Sequence, residues 1–154
     1  MIELKRILVP TDFSEFSQQA VQYGCELANR FSAELHIVHV AQDALPIVPE
    51  AGMLSVSHDD YMARVIETAT KLLKDVPDAS LYSRSVTRSV EPGVPFVEII
   101  RYAREKQMDL IVMSTHGRTG LVHMLMGSVA EKVVRKAPCP VLTIRPKGHD
   151  FVRP

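Results

Sequence analysis

The residues with the most chemical promise lie between an apolar run and a helical period, in "DLIVMSTHGRTGLVHMLMGSVAEK", Asp109 to Lys132. Gly117, Gly120 and Gly127 permit positive φ and close approach to the backbone, as a nest of N–H groups around an anion requires. Arg118 can add charge, and His116 can reach a phosphate. Ser128 and Glu131 have the S-x-x-E spacing of a capping box, which predicts that Ser128 caps a helix and satisfies its free donors. Those N–H groups and the Ser128 hydroxyl can instead serve a phosphate, because both uses exploit the positive end of the helix dipole. The pattern is not a Walker A loop, since no lysine follows Gly127, nor is it the dinucleotide fingerprint. An anion-binding loop and plain turn chemistry both stay open on these residues alone.

Elsewhere the chemistry is sparser. Asp12 stands in "PTDFS" behind an apolar run, where a turn or cap residue is the ordinary reading. His116 has no nucleophile or carboxylate at a spacing that would make a catalytic set. His36 and His39 are three apart in a strand-like run and so point to opposite faces, which excludes a metal pair and favours packing with one polar edge. Cys25 and Cys139 are too few for a disulfide framework and have no CxxC neighbourhood, so they read as free, buried or half-buried thiols in a reducing compartment. Eighteen basic and eighteen acidic side chains cancel, leaving no electrostatic footprint for nucleic acid or a membrane surface. The N-terminal apolar run is too short for a signal peptide and no run has the length of a membrane span, so a cytoplasmic protein is expected.

Positioning these residues requires a scaffold, and the hydrophobic pattern supplies one. Ile7 to Val9, Leu35 to Val40, Leu110 to Met113 and Val141 to Ile144 are almost continuously apolar, as strands buried on both faces are. Helical periods separate them: Phe16, Ala20, Tyr23, Leu27, Ala28 and Phe31; Phe96, Ile99, Ile100 and Ala103; Val129, Val133, Val134 and Ala137. A further helix is expected from Tyr61 to Leu73, and Pro95 suits a first helical position with Gly93 as the turn before it. A polar fifth strand around Leu81 to Val90 fits a sheet edge. The alternation predicts an α/β fold: a single doubly wound domain, a mainly parallel five-stranded sheet, and helices on both faces. At 154 residues one domain is the expectation, placed over 1–147 with a short tail at 148–154. In such sheets ligands bind beyond the carboxyl ends of the strands, where the winding reverses. That selects "PTDFS", the residues after Val40, and the glycine loop after Met113. The stretch from Ala41 to Ser57, with Pro46, Pro49 and Gly52, has no period and reads as a lid or a mobile loop. Leu121, Met124, Leu125 and Met126 make the glycine loop apolar, which suits sealing it onto the sheet or a partner surface.

From Ser114 the loop reads S-x-x-G, nine residues, then G-S, and it resembles the G-x-x-G-x9-G-[S/T] nucleotide loop of the universal stress protein family. "ILVPTDFS" is similar to that family's first strand and turn, "LHIVHV" to its second strand, and "KAPCPVLTIRP" to its closing strand. The resemblance implies an adenine nucleotide alpha hydrolase-like domain that binds ATP or AMP and pairs as a homodimer through its last strand, here Val141 to Ile144. Carried over, it puts Pro10, Thr11 and Asp12 by the adenine and ribose, with the Asp12 carboxylate accepting from ribose hydroxyls. Val40 and Met113 would line the adenine pocket. The backbone of Ser114, Thr115, His116 and Gly117, with Gly127, Ser128 and Val129, would hold the phosphates, and Arg118 lies within that loop. Any Mg²⁺ would be held through the phosphates only. Ser114 departs from the family's first glycine, which points to lower affinity or to a nucleotide with fewer phosphates, although a serine there can donate its hydroxyl. The function implied is a stress-response nucleotide-binding module without efficient catalysis. The alternatives are a nucleotide-independent dimeric interaction protein and a slow ATPase or autophosphorylating protein, for which no base is visible.

Overall fold

The computed structural model describes residues 3–43, 57–82, 84–117 and 126–145. Strands and helices alternate along the chain: β1 (Arg6–Pro10), α1 (Glu15–Phe31), β2 (Glu34–Ala41), α2 (His58–Leu73), β3 (Val86–Pro92), α3 (Pro95–Glu105), β4 (Leu110–Ser114), α4 (Ser128–Lys136) and β5 (Val141–Ile144). The sheet order is β3-β2-β1-β4-β5, with every pairing parallel. Successive residues of a strand face opposite sides of the sheet, so covering both faces demands apolar residues at every position. Ile7 and Val9 accordingly join Ala20, Cys25 and Ile37 in one core cluster, while Leu8 joins Val38, Ile99 and Val133 in the other. Gly24 lets α1 lie directly on β1, because a Cβ there would collide with the Val9 side chain.

The winding reverses beside β1: β2 and β3 extend one way, β4 and β5 the other. A crevice therefore opens where the carboxyl ends of β1 and β4 diverge. At the far edge, the carbonyls of Pro140 and Ile144 accept from the N–H groups of Ile111 and Thr115, both at 3.0 Å. The alternate residues Val141 and Thr143 must then turn their N–H and C=O groups outward, away from β4.

Two expectations need correction. The edge strand does lie at an edge, but it runs Val86–Pro92 instead of starting at Leu81. Tyr82, just before it, is buried against the first cluster and donates its hydroxyl to the Ala33 carbonyl at 3.1 Å. The Ser128–Glu131 capping box does not form among the described residues. Gly127 donates its N–H to the Thr115 carbonyl at 2.6 Å and lies extended (φ −70°, ψ 153°), so Gly127 is the N-cap and Ser128 the first helical residue. The Glu131 carboxylate pairs with Arg135 instead, at 3.1 Å. The Ser128 hydroxyl is thus spared from capping.

Outside the described residues lie most of the Ala41 to Ser57 stretch, Arg118, Gly120, Leu121, Met124, Leu125, and the tail at 148–154.

Candidate functional site

The turn after β1 is held from several sides. Thr11 donates its N–H to the Val38 carbonyl at 2.9 Å, and its own carbonyl lies 2.8 Å from Nδ1 of His39. A carbonyl only accepts, so that His39 nitrogen carries the proton. The Thr11 hydroxyl accepts from the Phe13 N–H at 3.1 Å and bonds Ser17 Oγ at 3.0 Å. Phe13 has φ of 65°, unusual for a bulky residue, and its ring rests on His39 with centroids 4.5 Å apart. This overdetermined turn fixes Asp12. Its Oδ1 accepts from the N–H of Ser14 at 3.0 Å and from the Ser14 hydroxyl at 2.5 Å. Its Oδ2 faces the glycine loop, only 2.9 Å from where a Cβ on Gly117 would stand.

From β4 the loop leaves with equal economy. Ser114 is buried and closes the strand, with no left-handed φ. Its position therefore does not demand glycine, contrary to the reason for expecting weakened binding there. Ser114 Oγ accepts the N–H of His116 at 3.2 Å. Thr115 gives its N–H and its hydroxyl to the Ile144 carbonyl, at 3.0 and 3.4 Å, and its Oγ1 lies 2.9 Å from Nδ1 of His116. The Gly127–Thr115 bond brings the far end of the loop back to its start. A Cβ on Gly127 would come within 3.1 Å of that same Thr115 carbonyl, so glycine is what lets the helix start this close.

These pieces border one cleft of about 990 Å³ along the carboxyl ends of the strands. Pro10 to Asp12, Val40, Met113 to Gly117 and Gly127 to Val129 all line it, so every described residue that the family resemblance assigns to the nucleotide lies on a single surface. The remaining one, Arg118, is outside the described residues. Gln42, Arg64, Phe96 and Lys132 line it too and were not assigned to a site, and so does His39, which was expected only to pack. Lys132 had a readable signal, since it stands four residues after Ser128 and shares its helix face.

Of the other described candidates, only His39 borders the cleft. His36 packs edge-on against Tyr102 of α3, with Nδ1 3.0 Å from the phenol oxygen, while His39 faces Phe13; the two do lie on opposite faces. Burial pushes the Cys25 thiol up to about 11 and also raises Cys139, so neither is an activated nucleophile. No group of three metal-ligating side chains occurs among the described residues, nor is any described helix long and apolar enough to cross a membrane. The cleft brings together one fixed carboxylate, the amides at the start of α4, and the apolar Val40 and Met113.

Known proteins share this fold. A universal stress protein of Lactobacillus plantarum superposes with a TM-score of 0.80 at 26% identity, covering 94% of this chain and all (100%) of that one. A universal stress protein of Methanocaldococcus jannaschii is 34% identical over 143 residues, 92% of this chain and 82% of the relative. One from Bacillus subtilis is 31% identical over 145 residues, 91% of this chain and 98% of the relative. The fold is the adenine nucleotide alpha hydrolase-like one, and with the profile of the universal stress protein family matching residues 3–145, the chain belongs to that family.

Proposed function

We propose that the cleft binds an adenine nucleotide, ATP or AMP, and that the chain is a cytoplasmic stress-response module whose bound nucleotide changes its contacts, without efficient turnover. The observation that carries the reading is the opposition of Asp12 to Gly117 at the carboxyl ends of β1 and β4, with the start of α4 beside them. The Asp12 carboxylate, fixed through Ser14 and turned toward the glycine loop, has the chemistry to accept from a vicinal diol. The amides from Ser114 to Gly117 and at the start of α4 suit a phosphate, with any Mg²⁺ held through the phosphates. Val40 and Met113 offer the apolar walls an adenine needs. Two proteins of this family have been solved with cAMP and with dAMP, so the fold has a precedent for such ligands.

The same reading includes a homodimer through β5. Outward N–H and C=O groups at Val141 and Thr143 have no strand partner among the described residues, and two copies laid antiparallel about a two-fold axis would satisfy them with one patch used twice. Thr115 supports a link between the two events, since it hangs the glycine loop on the last residue of that edge strand, Ile144.

Mass spectrometry of small molecules released by denaturing the purified protein, with calorimetric titration of ATP and AMP into the emptied protein, tests the reading. Released adenine nucleotide with saturable binding is expected. A protein that releases none and binds neither refutes it.

A further inference from the structure

We propose that Lys132 selects a nucleoside triphosphate over a monophosphate, an inference that rests on the nucleotide reading of the cleft. Lys132 lines the cleft from α4, one turn beyond Ser128. Helical side chains lean toward the helix N-terminus, so a lysine at this position reaches back over the turn that opens onto the glycine loop.

Its ammonium is parked on an aromatic ring. Lys132 Nζ sits 4.9 Å from the centroid of the Phe96 ring, another wall of the cleft, and Lys136 approaches the same ring at 5.7 Å. The adjacent carboxylate of Glu131 is engaged with Arg135 at 3.1 Å. Among the described residues Lys132 makes no ion pair. Attraction of an ammonium to the half-buried ring is modest beside an ion pair, and two cations drawn to one ring repel each other. Phe96 thus holds the Lys132 ammonium at the cleft wall without committing it, and an anion entering the cleft can take it.

Which anion gains most follows from charge and reach. A phosphate next to the sugar is within the compass of the loop amides, which bind it whether or not more phosphates follow. Additional phosphates carry charge away from the sugar, beyond the amides, and a flexible ammonium on the same helix face as Ser128 can follow them. Lys136 lies a further turn away and does not line the cleft, so it provides the control: the same ring contact without the reach.

Calorimetric titration of ATP and AMP into the full chain, as wild type, Lys132→Ala, Lys132→Arg and Lys136→Ala, tests this, with thermal melts to show that each variant folds. Lys132→Ala should lose about tenfold in ATP affinity and change AMP affinity by less than about twofold, the pattern of a charge contact made only by the outer phosphates. Lys132→Arg should keep the preference, and Lys136→Ala should match the wild type for both ligands. A folded Lys132→Ala that loses both nucleotides equally, or neither, overturns the assignment while leaving the nucleotide site standing. A wild type that binds neither nucleotide overturns the nucleotide reading, and this inference falls with it.

Discussion

Gly117 is the position at which the proposed site can be tested most cleanly, because its need for glycine is not conformational. Its φ is not left-handed, so alanine fits the backbone; what a Cβ meets is Asp12 Oδ2 at 2.9 Å. Ordinary carbon–oxygen contact requires the carboxylate to retreat by about half an ångström. It cannot swing freely, since its other oxygen is held by the N–H and the hydroxyl of Ser14, at 3.0 and 2.5 Å. Hydrogen bonds to a charged group contribute about 1.5 to 3 kcal/mol, and weakening one of them while displacing the acceptor should cost about 1.4 kcal/mol in binding, or tenfold in Kd. Ser14 also caps α1 by accepting the Ser17 N–H at 3.2 Å, so up to about 1 kcal/mol of stability goes with it. Calorimetry with AMP and ATP on Gly117→Ala measures the first, and chemical denaturation the second. The cause is isolated by a double-mutant cycle: with Asp12→Ala already present, the added methyl has nothing to displace, and its binding penalty should vanish. A folded Gly117→Ala with wild-type affinity for both nucleotides would refute the placement of the ligand against Asp12. So would a penalty that persists unchanged without the carboxylate.

Three further outcomes follow from other parts of the molecule. Asp12→Ala should largely erase any preference for ribose over 2′-deoxyribose nucleotides, read as the ratio of their Kd values; a retained preference makes Asp12 a turn residue only. Thr143→Pro removes an outward-facing donor and spares the β4 ladder, so light scattering should show a folded monomer where the wild type is a dimer, and a wild type that is monomeric up to millimolar concentration ends the dimer proposal. Burial lowers the pKa of His36 below its usual 6.5, with the nearby Glu34 opposing that shift. The unfolded chain therefore takes up the proton first, and stability should fall as pH drops below about 6.5. His36→Gln, which does not titrate, should flatten that part of the denaturation profile, and an unchanged slope would show that His36 does not cause it.

How much could be read ahead depended on whether the determinant was local. Ile7 to Val9 and Leu110 to Met113 announced themselves because a strand covered on both faces has no room for polar residues, and the parallel sheet followed from their alternation with helical periods. The start of α4 misled for an equally physical reason. Ser128 and Glu131 have the spacing of a capping box, yet the residue that caps is decided by a tertiary bond, Gly127 to the Thr115 carbonyl, which spans the whole loop and leaves no mark in local sequence. His39 shows the same limit from the other side. Its position in β2 was plain, but its role depends on lying level with the turn after β1, where it holds the Thr11 carbonyl and supports Phe13 in a left-handed conformation. That register, Val38 opposite Pro10, is a property of strand pairing. Asp12 and Gly117 could each be picked out singly; that one oxygen of the first fills the space a side chain on the second would need emerges only when β1 and β4 lie side by side. The contacts that define this site are thus pairwise and long-range, and variants that test pairs of residues will say more about it than any single substitution.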